Sequence, residues 1–292
     1  MDFMLAFDGG GTNCRAALAG PDGTILGRAT TGPANISTDP AGAAQNIVEA
    51  ARGALADAGR ADLRMENIPA FLGLAGANVS SHTEDLAAHL PFRQTRFSDD
   101  AVIALQGALG DADGVIAVLG TGSVYLGRNG DVFSRAGGWG FVVGDLGSGA
   151  RLGRALLQDT LLAYDRIMPR SPLTRHVMSQ FDDEPARLVA FAIDEKPVGF
   201  ARFAPLVFEY AERGDMVGTA LVRGAVAHVD AALAAVTWPG CETLCLLGGL
   251  APLYAQRIDA QFRGILKTPR GDALSGAIEL GLRVFSSSLK KE

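Results

Sequence analysis

Five short clusters in this 292-residue chain carry residue types that could do chemistry together. The first is Asp8-Gly9-Gly10-Gly11-Thr12, which follows the apolar run 3–7 without a break. That order predicts a strand and then a tight turn. Glycines tolerate positive φ and let backbone N–H groups approach a ligand, so Gly10 and Gly11 can cradle phosphate oxygens while Thr12 adds a hydroxyl donor. Asp8, at the strand end, can hold Mg2+ through its waters, since that ion dehydrates reluctantly. A glycine-rich hairpin with Asp8 as its turn cap fits the same residues. The loop is not a Walker A loop, because no Gly-Lys-Ser/Thr follows. Nor is it a dinucleotide fingerprint, because residues 14–19 read as a second strand rather than a helix.

The other clusters are Ser98-Asp99-Asp100-Ala101, Gly120-Thr121-Gly122-Ser123, the run Gly137-Gly138-Trp139-Gly140 with Gly144-Asp145-Leu146-Gly147-Ser148-Gly149, and Gly248-Gly249-Leu250. The elements that must position them can be read from pattern and turn chemistry. Strands at 3–7, 14–19 and 24–29 form an antiparallel meander. A helix over 40–58 follows, with Asp39 as N-cap and Gly59 as its stop. Next come a buried strand over 68–74, a helix at 82–89, a strand at 95–98 and a helix opened by Asp99-Asp100-Ala101 and running to 109. The pattern then restarts: an apolar strand at 115–119 runs into Gly120-Thr121-Gly122-Ser123 and a second strand, and Asn129-Gly130 turns into a third. A strand, a Gly/Thr loop and an antiparallel strand therefore occur twice. We expect an α/β chain of two related lobes facing a shared nucleotide cleft, divided as 1–110 and 111–292, with the last helix free to pack back on the first lobe. Residues 150–164 and most of 172–236 read as helical, with breaks near Pro185, Pro197 and Gly214. A strand at 242–247, a helix over 251–262 and a final helix from 272 complete the chain.

Lys and Arg number 26 against 32 Asp and Glu, a net charge of −6, and no basic run appears, which argues against nucleic acid or anionic lipid as the main partner. No apolar run is expected to span a bilayer, and no charged-then-apolar leader is seen, so a cytoplasmic protein is the expectation. Three sparse cysteines, Cys14, Cys241 and Cys245, fit a reducing compartment. Cys241 and Cys245 would share one face of a strand as core thiols rather than metal ligands.

Taken in order and spacing, the five clusters resemble the N-acetylglucosamine kinase and glucosamine kinase group within the BadF/BadG/BcrA/BcrD ATPase-like family. The opening 8–16, the Ala34-Asn35-Ile36 loop and Gly147-Ser148-Gly149-Ala150-Arg151 look most like the bacterial glucosamine kinases. The resemblance spans the chain and implies two lobes of the ribonuclease H-like, actin/hexokinase/Hsp70 type. It implies transfer of the ATP γ-phosphoryl, with Mg2+, to the 6-hydroxyl of glucosamine or N-acetylglucosamine. Gly10, Gly11 and Thr12 with Gly120, Thr121 and Gly122 would grip the phosphates, Asp8 would hold hydrated Mg2+, and Gly248 and Gly249 would let adenine lie against backbone. Asp100 matches the family's catalytic aspartate and would accept the hydroxyl proton, with Asp99 the fallback; an N-cap role suits an Asp there equally in kind. Asn35, Gly138, Trp139 and Asp145, with Asp100, match positions that contact the hexose. An Asx-turn for Asn35 and plain packing for Trp139 are the competing readings. Dimers are common among such relatives.

Two departures bear on the substrate. Val124 stands where animal-type N-acetylglucosamine kinases carry a sugar-contacting asparagine, which tilts towards free glucosamine, whereas Gly137-Gly138-Trp139-Gly140 looks more like the acetylated-substrate enzymes. Leu146 replaces the Glu or Gln of many relatives, and its effect is not legible. Arg15 can neutralise phosphate or form a structural ion pair. Two other readings within the fold are an ATPase activator of a radical dehydratase, which would place cysteines beside the second loop, and a non-catalytic sugar sensor, which usually adds a basic helix-turn-helix.

Overall fold

The computed structural model describes residues 2–77 and 82–288. Its first three strands, β1 (Met4–Gly9), β2 (Cys14–Ala19) and β3 (Ile25–Thr31), form the expected meander. Helix α1 (Pro40–Asp57) begins as its local signals require, with the Asp39 carboxylate accepting the Gly42 N–H at 2.9 Å and Pro40 in the first turn. β4 (Pro69–Leu74), α2 (His82–His89), β5 (Gln94–Asp99) and α3 (Asp100–Leu109) follow. The sheet order is β3-β2-β1-β4-β5, with β1, β4 and β5 mutually parallel. β1 is apolar from Met4 to Phe7 because both its faces are covered there. Leu5 and Phe7 pack with Ile47 and Ala50 of α1, while Met4 and Ala6 face the opposite side.

The second half repeats the start. β6 (Gly114–Leu119), β7 (Ser123–Asn129) and β8 (Val132–Gly137) form another meander. Asn129 pairs with Val132, so the two loop residues are Gly130 and Asp131, one position later than the Asn-Gly reading. Helices α4 (Gly149–Tyr164), α5 (Pro172–Ser179), α6 (Pro185–Asp194), α7 (Pro197–Ala201), α8 (Ala204–Glu212) and α9 (Met216–Val236) follow, with the expected breaks before Pro185 and Pro197 and at Gly214, and a further one between α7 and α8 that was not expected. β9 (Leu244–Leu247) then joins β6 in parallel, giving the order β8-β7-β6-β9.

Three expectations need correction. α9 is long and apolar enough by length and composition to cross a membrane. It nonetheless packs Val222, Val229, Leu233 and Val236 into the core of its unit and carries Arg223 and Asp230. The single helix expected over 251–262 is two, α10 (Ala251–Ala255) and α11 (Ala260–Arg263), because the Asp259 side chain caps a new turn by accepting the Gln261 N–H. Cys245 lies buried on β9, but the strand starts only at Leu244. Cys241 therefore lies outside it, donating to the Thr243 carbonyl.

The described residues up to Ala112 and from Thr268 onward form one compact unit, and Asp113–Lys267 forms a second. The last helix, α12 (Ala273–Ser288), covers the second face of the first sheet. Its Leu274, Ala277, Ile278 and Phe285 pack with Met4, Ala6, Phe71 and Ile103. α12 and α3 meet backbone to backbone: a Cβ on Gly276 would strike the Ile103 carbonyl, and one on Gly107 the Asp272 carbonyl. Overpacking of this kind costs about 1–3 kcal/mol. Gly276→Ala should therefore lower the urea midpoint of unfolding by a corresponding amount, and a wild-type midpoint would show that the two helices can separate freely.

Candidate active site

In the first unit, the loop after β1 is closed by the Gly10 N–H donating to the Asn13 carbonyl at 2.8 Å, and the chain returns as β2. Gly11 and Thr12 are exposed, and nothing lies within 4 Å of where a Gly11 Cβ would be. Two neighbouring segments are stitched to this loop. The Ala75 N–H, just past β4, donates to the Gly9 carbonyl at 2.7 Å, and the Ala34 N–H donates to the Gly10 carbonyl at 2.9 Å. Asn35 is thereby brought beside the loop. Its Oδ1 accepts the Ser37 N–H at 3.0 Å, so the Asx-turn is formed, and its Nδ2 makes no hydrogen bond to a described residue.

Asp8 pairs across β1 and β4 with Gly73, and Gly73 across β4 and β5 with Ser98. Two strand spacings put Asp8 and Ser98 about 10 Å apart at Cα, level at the same sheet edge. Asp99 takes the cap of α3, accepting the Ala101 N–H at 2.9 Å, and Asp100 is the first helical residue. The Asp100 Oδ1 also lies 2.9 Å from that N–H, but α3 does not depend on it for a cap.

The Asp8 carboxylate is not a turn cap. Its Oδ2 receives two bonds from Arg15, from Nε at 2.9 Å and from a terminal nitrogen at 2.5 Å, while Oδ1 makes no hydrogen bond to a described residue. Arg15 sits opposite Asp8 in the β1–β2 register and reaches a third residue, Asp272, at 2.7 Å. Arg15 thus forms the structural ion pair. The pairing with Asp8 was open to prediction, since the two residues stand symmetrically about the loop. The bond to Asp272 was not, since no local pattern links positions 257 apart.

In the second unit, the glycine loops converge at the carboxyl ends of β6 and β9, where ligands of parallel sheets commonly bind. The Leu250 N–H donates to the Leu119 carbonyl at 3.0 Å, and Gly248, at φ 90°, abuts that same carbonyl. The first N–H groups of α4 are already used: Gly149 donates to the Gly120 carbonyl at 2.8 Å and Ala150 to that of Thr121 at 3.2 Å. This helix end therefore holds the loop 120–122 in place. No atoms lie within 4 Å of a Cβ position on Gly120 or Gly249, so both backbones are open to close approach.

Asp145 links the two glycine-rich stretches. It is buried, adopts φ 55°, accepts the Gly140 N–H at 3.2 Å, and lies against Gly122. Burial pushes its carboxyl above the ordinary range, opposed by the Gly140 and Ser123 N–H groups and by Arg151. Arg151, which sequence reading did not single out as a site residue, donates to the Phe141 and Val142 carbonyls at 3.3 Å and so straps the same loop. Gly138, at φ 74°, donates its N–H to the Ser123 carbonyl at 2.9 Å and packs on Val124. Trp139 is 61% exposed, so it is not a packing residue. Val142, Val143 and Leu146 nearby in sequence are exposed as well.

A family model described as the BadF/BadG/BcrA/BcrD ATPase family matches residues 7–269. The glucosamine kinase GspK of Vibrio cholerae serotype O1 is 32% identical over 280 residues, covering 95% of each chain. A crystal structure from Chromobacterium violaceum, provisionally designated an N-acetylglucosamine kinase, is also 32% identical. It superposes with a TM-score of 0.89 over 97% of this chain and 99% of that one. A ROK-family glucokinase from Streptomyces griseus matches at TM-score 0.57 and 16% identity over 95% and 98% of the two chains, which shows the shared hexokinase-type fold alone.

The environment of Asp145 gives a stability test. A carboxyl whose folded pKa is raised stabilises the fold while protonated and loses that contribution as pH rises through the folded value. At neutral pH the Asp145 charge therefore opposes folding. Asp145→Asn should melt higher than wild type at pH 7, with the gap closing as pH falls towards about 4. Thermal melts across that range check it, and a lower melting point at pH 7 would mean that the pull of Arg151 outweighs burial.

Proposed function

This chain belongs to the BadF/BadG/BcrA/BcrD ATPase family, and within it we propose that it is an amino-sugar kinase moving the ATP γ-phosphoryl to the 6-hydroxyl of glucosamine or N-acetylglucosamine. The observation that carries the reading is the division of labour at the start of α3. Asp99 supplies the cap of α3, and Asp100 follows as the first helical residue, at the same end of the sheet as the Asp8 loop. Identity to a glucosamine kinase over nearly the whole chain supports the same conclusion.

In this reading Asp100 accepts the proton of the sugar hydroxyl as the new O–P bond forms and the bond to the leaving ADP breaks. Phosphoryl transfer asks little covalent chemistry of a protein, and positioning with charge neutralisation supplies most of the acceleration. Gly10, Gly11 and Thr12, and likewise Gly120, Thr121 and Gly122, are the candidates for contact with phosphate oxygens. Gly248 and Gly249 receive adenine. The sugar is met by Asn35 through its Nδ2, by Asp145, by the Gly138 backbone and by the exposed face of Trp139.

Among the described residues no group of three or more His, Cys, Asp or Glu could cage a metal. Mg2+ needs no such cage, since it is usually held by one or two carboxylates together with substrate phosphates and water, and the unbonded Asp8 Oδ1 suits that arrangement. When bound, the ion would neutralise charge on the phosphates. The activator alternative finds no support in the thiols, since none of the three cysteines is exposed.

ADP release measured with ATP and Mg2+ against glucosamine, N-acetylglucosamine, glucose and N-acetylmannosamine, beside a sugar-free control, tests the function. One amino sugar should stimulate release strongly; equal release with and without every sugar would move the protein to the activator or sensor class. Loss of a general base costs about 10²–10⁴-fold. Asp100→Asn should accordingly lose at least about 100-fold in kcat with little change in KM, and near-normal turnover would remove Asp100 from this role.

A further inference from the structure

We propose that Asp272 is a positioning residue for Asp8, acting through Arg15 to keep one Asp8 oxygen tied and the other presented to a hydrated metal ion. The inference rests on the metal-holding role given to Asp8 above.

A lone Asp8–Arg15 pair would be a cross-strand ion pair in which the guanidinium cancels the carboxylate. The structure instead holds two carboxylates on one guanidinium, a cluster of net charge −1. Arg15 sends Nε and one terminal nitrogen to Asp8 Oδ2 and the other terminal nitrogen to Asp272 Oδ2. The planar fork of Arg permits this sharing, which the single ammonium of Lys does not reproduce.

Asp272 is itself fixed. It precedes the first residue of α12, where its Oδ1 accepts the Ser275 N–H at 3.0 Å and the Ser275 hydroxyl at 2.7 Å, and its own N–H donates to that hydroxyl at 2.9 Å. Its carbonyl rests against Gly107 of α3, where a side chain could not fit. Burial works against its charge, but the Ser275 bonds and Arg15 outweigh burial and hold the carboxyl below the usual range. The start of a helix also favours a carboxylate there. Asp272 therefore stays ionised and draws the guanidinium away from full neutralisation of Asp8. It also keeps Arg15 from swinging out of the plane that orients Asp8. The chain of contacts runs from the Asp8 loop, through Arg15 and Asp272, to the helix that begins with Asp100.

Asp272→Asn keeps the acceptor for Ser275 and removes the charge. The test is the affinity of the enzyme–ADP complex for Mn2+ as a spectroscopic substitute for Mg2+, followed by electron paramagnetic resonance alongside kinetics. Loss of a residue that orients a metal ligand weakens binding by about tenfold or more. Asp272→Asn and Arg15→Lys should each raise the Mn2+ dissociation constant by about that factor, leave the sugar KM unchanged and retain a cooperative melt, and Asp272→Glu should recover part of the loss. If Asp272→Asn fails to fold, Arg15→Lys, which keeps both carboxylates, carries the same test. Wild-type Mn2+ affinity in the two variants, with Asp8→Asn weakened, overturns the positioning role alone. Wild-type affinity in Asp8→Asn overturns the metal role of Asp8 and the positioning role with it.

Discussion

A strand that runs into a glycine loop leaves carbonyls which must be paired if that loop is to hold one shape. The same solution occurs in both units. In the first, the N–H just beyond β4 takes the carbonyl at the end of β1, Ala75 to Gly9; in the second, the N–H just beyond β9 takes the carbonyl at the end of β6, Leu250 to Leu119. The loop is thus fixed by main chain and leaves its glycines bare. Each loop also closes on itself, Gly10 donating to the Asn13 carbonyl and Gly120 to that of Gly122, so room for a phosphate is left at positions such as Gly11, where no atom lies within 4 Å of a Cβ position. The helix ends follow the same logic. α4 spends its first N–H groups on the loop 120–122, and α3 spends an aspartate side chain, Asp99, on its own cap.

Much of this was legible because it is local. The repeat of strand, Gly/Thr loop and antiparallel strand shows in the apolar runs and turn residues, and the helix starts at Asp39 and Asp99 show in capping chemistry. Other features were not legible, because their causes lie far along the chain. That the last helix could return to the first lobe was expected, but not the means: Gly107 and Gly276 let the two backbones touch, and a glycine in a helix pattern does not say what approaches it. The break between α10 and α11 turns on Asp259, whose N–H donates to Asp230 at 2.9 Å, a partner in another helix. Asp145 read as a polar residue between glycines, and its burial became visible only once the loop was seen to fold over Gly122.

Four aspartates near the glycine loops show how one side-chain type is given different work by its surroundings. Asp99 spends its carboxylate on a helix cap, and Asp272 is held ionised by Ser275 and Arg15. Asp145 is pushed the other way by burial, and Asp8 has one oxygen occupied and one left over. These differences do not come from the loop sequences, which are glycine-rich and alike. They come from what the long-range fold brings alongside: a guanidinium from the next strand, a helix start from the far end of the chain, an arginine from the first turn of α4. Glycine loops give access but no fixed charge, so the burden of placing charge falls on residues outside the motifs. The motif residues identify the fold, and Arg15, Arg151 and Asp272 determine how its carboxylates are oriented and charged.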